Sequence, residues 1–226
     1  MSRSTATSGR HIVRQKTSSA VVDYVLEELF DGRLRSGDRI DLDEIGSTLG
    51  VSRIPVREAL LILERDGIVS TRFHRGVYVE PFDAQSIQDD FEILGHLSGI
   101  AVRRLAEKQD DETIARLQRL IDELRQADPD DPEAIFAVVR EILVLEHRAG
   151  GSRRLRAELR AFTGFLPVTL RIRISRGLDA VVIAHARVVR AIAGGDGEKA
   201  AQYRVDDFRD AGRDIVVELR RRGVVS

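Results

Sequence analysis

Residues 50–67 read Gly50-Val51-Ser52-Arg53-Ile54-Pro55-Val56-Arg57-Glu58-Ala59-Leu60-Leu61-Ile62-Leu63-Glu64-Arg65-Asp66-Gly67, and this stretch decides the fold. Ser52 suits the N-cap of a helix, and Pro55 falls in its first turn, where a missing N–H costs no internal hydrogen bond. Val56, Ala59, Leu60 and Leu63 then recur at i, i+3, i+4 and i+7, the spacing of one buried stripe. Arg53 and Arg57, four apart, share another face, and Gly67 ends the helix.

Working outward, Leu42, Ile45 and Leu49 mark a shorter helix stopped by Gly50. Ahead of it, Leu34 to Ile40 reads as a turn into a short extended piece. Val21, Val22, Val25, Leu26 and Leu29 predict a first helix with Ser18 or Ser19 as its cap and Gly32 beyond its end. On the other side, Ile68 to Val79 predicts two short strands around a turn at Phe73-His74-Arg75-Gly76. Three helices and a hairpin in this order make a winged helix-turn-helix over 11–80. It follows an arm over 1–10 that is rich in Ser, Thr, Gly and Arg.

Around Pro81 the chain turns from one domain to the next, giving a linker over 81–84. Beyond it the apolar spacing is helical throughout. Segments are expected near 83–108, 111–127, 132–149, 152–162, 164–175, 178–193 and 196–221, broken at Asp128-Pro129, Gly150-Gly151, Gly177 and Gly194-Gly195. The expected fold is therefore mainly α: a winged helix-turn-helix with a small β-hairpin wing, then an all-α bundle over 85–226.

Composition narrows the chemistry. With 42% hydrophobic and 32% charged residues the 226-residue chain is an ordinary globular protein. No run of about 18 apolar residues could span a bilayer, and Met1 to Ala6 lacks an apolar signal core, so a cytoplasmic protein without membrane partners is expected. The absence of cysteine excludes disulfides, thiolate metal sites and thiol nucleophiles. Residues 1–80 carry 12 basic and 12 acidic side chains, against 24 and 25 in the remainder. Neither part is basic, so any contact with nucleic acid rests on local placement rather than bulk charge.

Such placement exists. Arg53 and Arg57 lie near the start of the third helix, where side chains reach base edges or flanking phosphates of the major groove. Arginine offers a planar fork for guanine or phosphate, and Ser52 and Ile54 stand beside it. At the hairpin tip Arg72, His74 and Arg75 supply polar and charged groups, while Gly76 lets backbone approach the sugar-phosphate wall. Two arginines four apart are common on solvated helices; cap, stripe, preceding helix and wing in the right order favour a reading head.

The string from Gly50 to Gly67, with the wing His74-Arg75-Gly76-Val77-Tyr78-Val79, closely resembles the signature of the GntR family of transcription regulators. The resemblance implies DNA contacts at Ser52, Arg53, Pro55, Arg57 and the wing, and dimers on a palindromic operator. His185 to Asp196 and Ala149 to Leu155 resemble the effector domain of the FadR subfamily, called FCD. Many such domains bind a divalent metal through an Asp and a His four apart plus two later histidines. Those positions fall here on Val139, Leu143, His185 and Asp207, which leaves two ligands where a stable site wants three or four. His147, one turn beyond Leu143, is a possible substitute. Where an Arg and a Glu are usual in the first effector-domain helix, this chain carries Leu94 and Ser98.

The expectation is a ligand-responsive repressor without metal or other cofactor, sensing an organic or acyl-type acid through His185, Asp207, Arg171 and Arg173. Being two apart on one helix, Arg171 and Arg173 cannot both point inward. The alternative is a metal-dependent carboxylate sensor of the same family. An enzyme is not expected, because the chain has no P-loop, GxSxG or HExxH motif.

Overall fold

The computed structural model describes the backbone of residues 5–65, 67–73, 75–81, 83–161, 166–175 and 177–225, and side chains at these positions except 5–16, 161, 166–168 and 171. Two compact units result: residues 1–83 with 221–226, and residues 84–220.

In the first unit α1 (Thr5–Phe30) precedes β1 (Arg39–Ile40), α2 (Leu42–Leu49), α3 (Arg53–Arg65), β2 (Val69–Arg72) and β3 (Gly76–Val79). Val21, Val25 and Leu26 of α1 pack against the stripe Val56, Ala59, Leu60 and Leu63 of α3, all buried. Asp41 caps α2 by accepting from the amides of Asp43 and Glu44. Gly50 ends it in the left-handed conformation (φ +65°), and the Val51 amide closes the turn onto the Gly46 carbonyl at 2.9 Å. That carbonyl-rich corner is tight: a Cβ on Gly46 would lie 3.1 Å from the Val51 oxygen.

Three features differ from the sequence reading. Helix α1 begins at Thr5, inside the stretch read as an arm, because a helix nucleated on a packed segment propagates outward cheaply through residues such as Ala6 and Arg10. The wing is a three-stranded antiparallel sheet in the order β1-β3-β2, since Arg39 and Ile40 pair with Tyr78 and Val77 on the free edge of the hairpin. Residues 221–226, read as part of the effector domain, belong to the first unit. There Arg222 donates to Asp31 at 2.6 Å, and Val224 fills the space beside Gly32.

The second unit contains, among the described residues, seven helices: α4 (Ala84–Lys108), α5 (Asp111–Arg125), α6 (Pro132–Gly150), α7 (Arg153–Ala161), α8 (Leu166–Ser175), α9 (Leu178–Ala193) and α10 (Gly197–Arg221), whose last residue passes into the first unit. Asp110, Asp131 and Asp196 accept from amides three residues on and start α5, α6 and α10. Small residues set the closest approaches. Gly95 and Gly99 of α4 face Val205 and Ala201 of α10, and Gly150 of α6 abuts the carbonyl of Ala101 in α4. Val102, Leu105, Leu117, Leu120, Leu124, Ile135, Ile142, Val188 and Ile192 fill the core. No described helix is long and apolar enough to cross a membrane.

Candidate functional site

The first unit presents a polar face at the start of α3. Ser52, Arg53, Ile54 and Arg57 are exposed, and Ile54 keeps 56% of its surface. Arg53 is not loose: its Nε and Nη2 donate to the two carboxylate oxygens of Asp43 at 2.5 Å, a fork-to-fork pair between α2 and α3. Asp43 was not singled out from the sequence, because the pairing depends on the crossing of two helices. Pro55 is a correction. It is buried at the start of α3, where it shapes the first turn.

The wing is braced on both sides. Arg72 stacks over the Tyr78 ring at 4.4 Å, and the Tyr78 hydroxyl donates to the Arg75 carbonyl at 3.1 Å. The Arg75 amide closes the turn onto the Arg72 carbonyl at 2.9 Å, and Gly76 follows with φ +105°, a conformation that favours glycine. Glu64 of α3 accepts from the Thr71 amide at 2.8 Å and fixes the wing to that helix. Arg72 and Arg75 are exposed, whereas His74 lies outside the described residues.

The second unit holds its charges inside. The Arg204 side chain is wholly buried. Its Nη2 donates to both oxygens of Glu146 at 2.6 and 2.7 Å, and its Nη1 to Asp207 Oδ2 at 2.8 Å. The same Nη1 lies 3.2 Å from His185 Nδ1; a guanidinium only donates, so Nδ1 is the acceptor and the ring proton sits on Nε2. Asp207 Oδ1 accepts from Arg173 Nη1, also at 2.8 Å, and Arg173 reaches Asp214 at 3.9 Å. Burial resists ionisation of Asp207, but the charges of Arg173 and Arg204 outweigh it and hold the carboxyl well below the usual range. Burial also pushes His185 down to about 3, aided by repulsion from Arg204 and Arg173. His147, bonded to Ser98 at 3.0 Å, is lowered by burial and then by Arg204 to about 4.

His185, Asp207 and Arg173 are thus brought together, while the Arg171 side chain lies outside the described residues. Glu146 and Arg204 were missed, although each carries a signal: Glu146 continues the buried stripe Ile135, Val139, Ile142, and Arg204 sits between buried Ala200 and Ala211. A charge on an apolar stripe needs a buried counter-charge.

Val139, Leu143, His185 and Asp207, the positions that correspond to metal ligands, all line one narrow cavity of about 30 Å³. They do not fit a divalent ion. Two are hydrocarbon, His185 Nδ1 already accepts from Arg204, and both oxygens of Asp207 are taken by arginines. Among the described residues no group of three His, Cys, Asp or Glu is placed to hold one. Phe136, Leu170 and Phe208 add an apolar wall, and Arg140 and Thr169 complete the lining.

A family model described as bacterial regulatory proteins of the gntR family matches residues 17–79, and the FCD domain model matches residues 89–205. An HTH-type transcriptional regulator of Mycobacterium tuberculosis is 34% identical over 210 residues, covering 93% of this chain and 85% of that protein. A probable D-xylose utilization operon transcriptional repressor of Paenarthrobacter nicotinovorans is 36% identical over 101 residues, covering 45% of this chain and 44% of that protein. Among solved structures, McbR/YncC of E. coli has the same fold with a TM-score of 0.64 at 19% identity, covering 92% of this chain and 97% of that one. A GntR-type regulator from Rhodococcus follows at 0.59 and 22%, covering 88% and 97%. The chain belongs to the GntR family: it is a transcription regulator with an N-terminal helix-turn-helix domain and a C-terminal FCD domain.

Proposed function

We propose that the protein is a ligand-responsive repressor that binds a palindromic operator as a homodimer in the cytoplasm. Ser52, Arg53, Ile54 and Arg57 enter the major groove, and Arg72, His74, Arg75 and Gly76 lie along the flanking backbone. The observation that carries this reading is the exposed start of α3, where cationic and apolar side chains stand clear of the core in a unit of neutral composition. Ile54 is suited to the methyl group of thymine and Arg57 to guanine or phosphate. Repression agrees with the name of the Paenarthrobacter nicotinovorans relative. In a gel-shift assay Arg57→Ala weakens operator binding by about 1 to 3 kcal/mol; unchanged affinity removes Arg57 from the interface.

The effector is an organic acid with an apolar body, taken without metal into the cavity beside Arg173, Arg140, His185 and Asp207. An apolar wall facing fixed cations supports this choice. A space of about 30 Å³ admits a water, not an acid, so the ligand enters by displacing α8, which contributes Thr169, Leu170 and Arg173. The ligand acts only through its differential affinity for the opened state. Calorimetric titration with aliphatic and aromatic monocarboxylates, acyl-CoAs and sugar acids tests the reading; Arg173→Ala abolishes the response if it holds, and heat unaltered by that substitution refutes it.

A further inference from the structure

Val139 and Leu143 of α6, which correspond to metal ligands, are hydrocarbon, but the buried face of that helix is not free of charge. Glu146, three residues beyond Leu143 and on the same face, carries a carboxylate with no exposed surface. On α10 the corresponding position is Asp207, and Arg204, three residues before it, is wholly buried as well. An acid thus stands one turn along α6 from the ligand positions, and a cation one turn along α10. The two meet at 2.6 and 2.7 Å.

The guanidinium is surrounded as a metal ion is. Its Nη2 donates to both oxygens of Glu146, and its Nη1 to Asp207 Oδ2 at 2.8 Å and to His185 Nδ1 at 3.2 Å. Glu146 of α6, His185 of α9 and Asp207 of α10 therefore turn onto one cation the carboxylate oxygens and imidazole nitrogen that also bind zinc or manganese. The other oxygen of Asp207 accepts from Arg173, as a ligating carboxylate is held by an outer partner. Packing alone does not ask for the group. A buried ion pair is often no more stable than an apolar replacement, and Arg204 Nε is buried without a hydrogen-bond partner among the described residues. Its charge, rather than its fit, accounts for it there.

We propose that Arg204 is the resident cation of this site: its guanidinium gathers Glu146, His185 and Asp207 around one positive centre, as a divalent ion does, and by filling that place keeps an ion out. This rests on the metal-free reading of the effector cavity above and names what supplies the charge instead. A positive centre that is part of the chain does not depend on metal supply. The three acceptors form a latent metal cage, closed only by the side chain inside it. The guanidinium spreads them wider than an ion requires, and among the described residues no group of three His, Cys, Asp or Glu is placed to hold one. Once that side chain is shortened, bonds of about 2.0 to 2.2 Å draw the donors together.

The test uses the untagged full-length protein, with zinc and manganese chlorides as probes. Wild type purified without chelator carries no stoichiometric zinc, nickel or manganese by elemental analysis, and neither probe nor EDTA shifts its urea midpoint. Arg204→Ala has a lower midpoint, takes up one equivalent of zinc in calorimetry and regains most of the lost midpoint with it; EDTA reverses the gain. Arg204→Lys, which keeps a monovalent cation, takes up none. Asp207→Asn in the Arg204→Ala background binds zinc at least about tenfold more weakly, which separates the cage from zinc held at the surface. Should Arg204→Ala not fold alone, Arg204→His, which offers a further nitrogen, is refolded from urea with and without zinc and folds only with it. The proposal is overturned if zinc leaves the melts of both Arg204→Ala and Arg204→His unmoved, or if Asp207→Asn leaves the uptake intact. Stoichiometric metal in the wild type refutes the metal-free reading together with it, whereas a metal-free wild type whose variants take up none refutes the resident cation alone.

Discussion

Arg53 and Arg204 are the same residue type, each paired with a carboxylate on a neighbouring helix, yet they serve opposite ends. Arg53 and Asp43 meet in solvent, where attraction is screened and a competing phosphate can take the guanidinium. Arg204 meets Glu146 and Asp207 with no exposed surface on any of the three beyond a trace, so no solvent replaces a lost partner. In the first unit the charge stays open to solvent and to competing ions. In the effector unit it is architecture because it is held absolutely.

The sharpest way to break this contrast is to neutralise both arginines. Arg204→Met strands the buried Glu146, leaves Asp207 with one of its two arginines and lowers stability by about 3 to 5 kcal/mol in urea melts, whereas Arg53→Met shifts it by less than about 0.5 kcal/mol and acts on DNA binding instead. Equal melts would end the architectural reading of Arg204. Next in size is acid sensitivity. His147 titrates near 4 in the folded protein and near 6.5 unfolded, so unfolding takes up protons between these values. Its contribution is complete above pH 6.5 and is lost as pH falls to about 4, up to about 3 kcal/mol. His147→Gln should flatten that part of the stability profile; a slope unaltered by the substitution assigns the loss to other groups.

A steric change in the same unit gives a control that involves no charge. Gly150→Ala drives a methyl into the Ala101 carbonyl and costs about 1 to 3 kcal/mol, equally at pH 7 and pH 5. The smallest effect belongs to the surface pair. Asp43→Ala frees Arg53 for phosphate, leaves the melt unchanged and steepens the salt dependence of operator binding by about one unit of log–log slope. An unchanged slope would mean that Asp43 orients Arg53 rather than competing for it.

How much of this could be read from sequence depended on the range of each interaction. The helix over 178–193 was legible to the residue, since its apolar period is regular and Gly177 and Gly194 bracket it. The stripe of α3 was equally plain. Strand β1 was not, because two residues carry no period and only pairing with β3 makes them a strand. At the candidate sites, exposure of Arg57 and Ile54 followed from helical phase, but burial of Pro55 did not. Arg204 and Glu146 are 58 residues apart, and nothing local to either names the other. Asp207 was found through a resemblance, without the two arginines that hold it.

The Arg204 cluster has a consequence for descent. Replacing the arginine leaves Glu146 without a counter-charge and Asp207 with Arg173 alone, replacing Glu146 leaves Arg204 to share Asp207 with Arg173, and replacing Asp207 takes a partner from both arginines, so each single step away lowers stability although the joint replacement by apolar residues need not. The three positions are therefore inherited as a block. Among relatives of this chain, Glu146, Arg204 and Asp207 should be kept together or changed together, and a relative that kept only one would mark where some other partner has taken over.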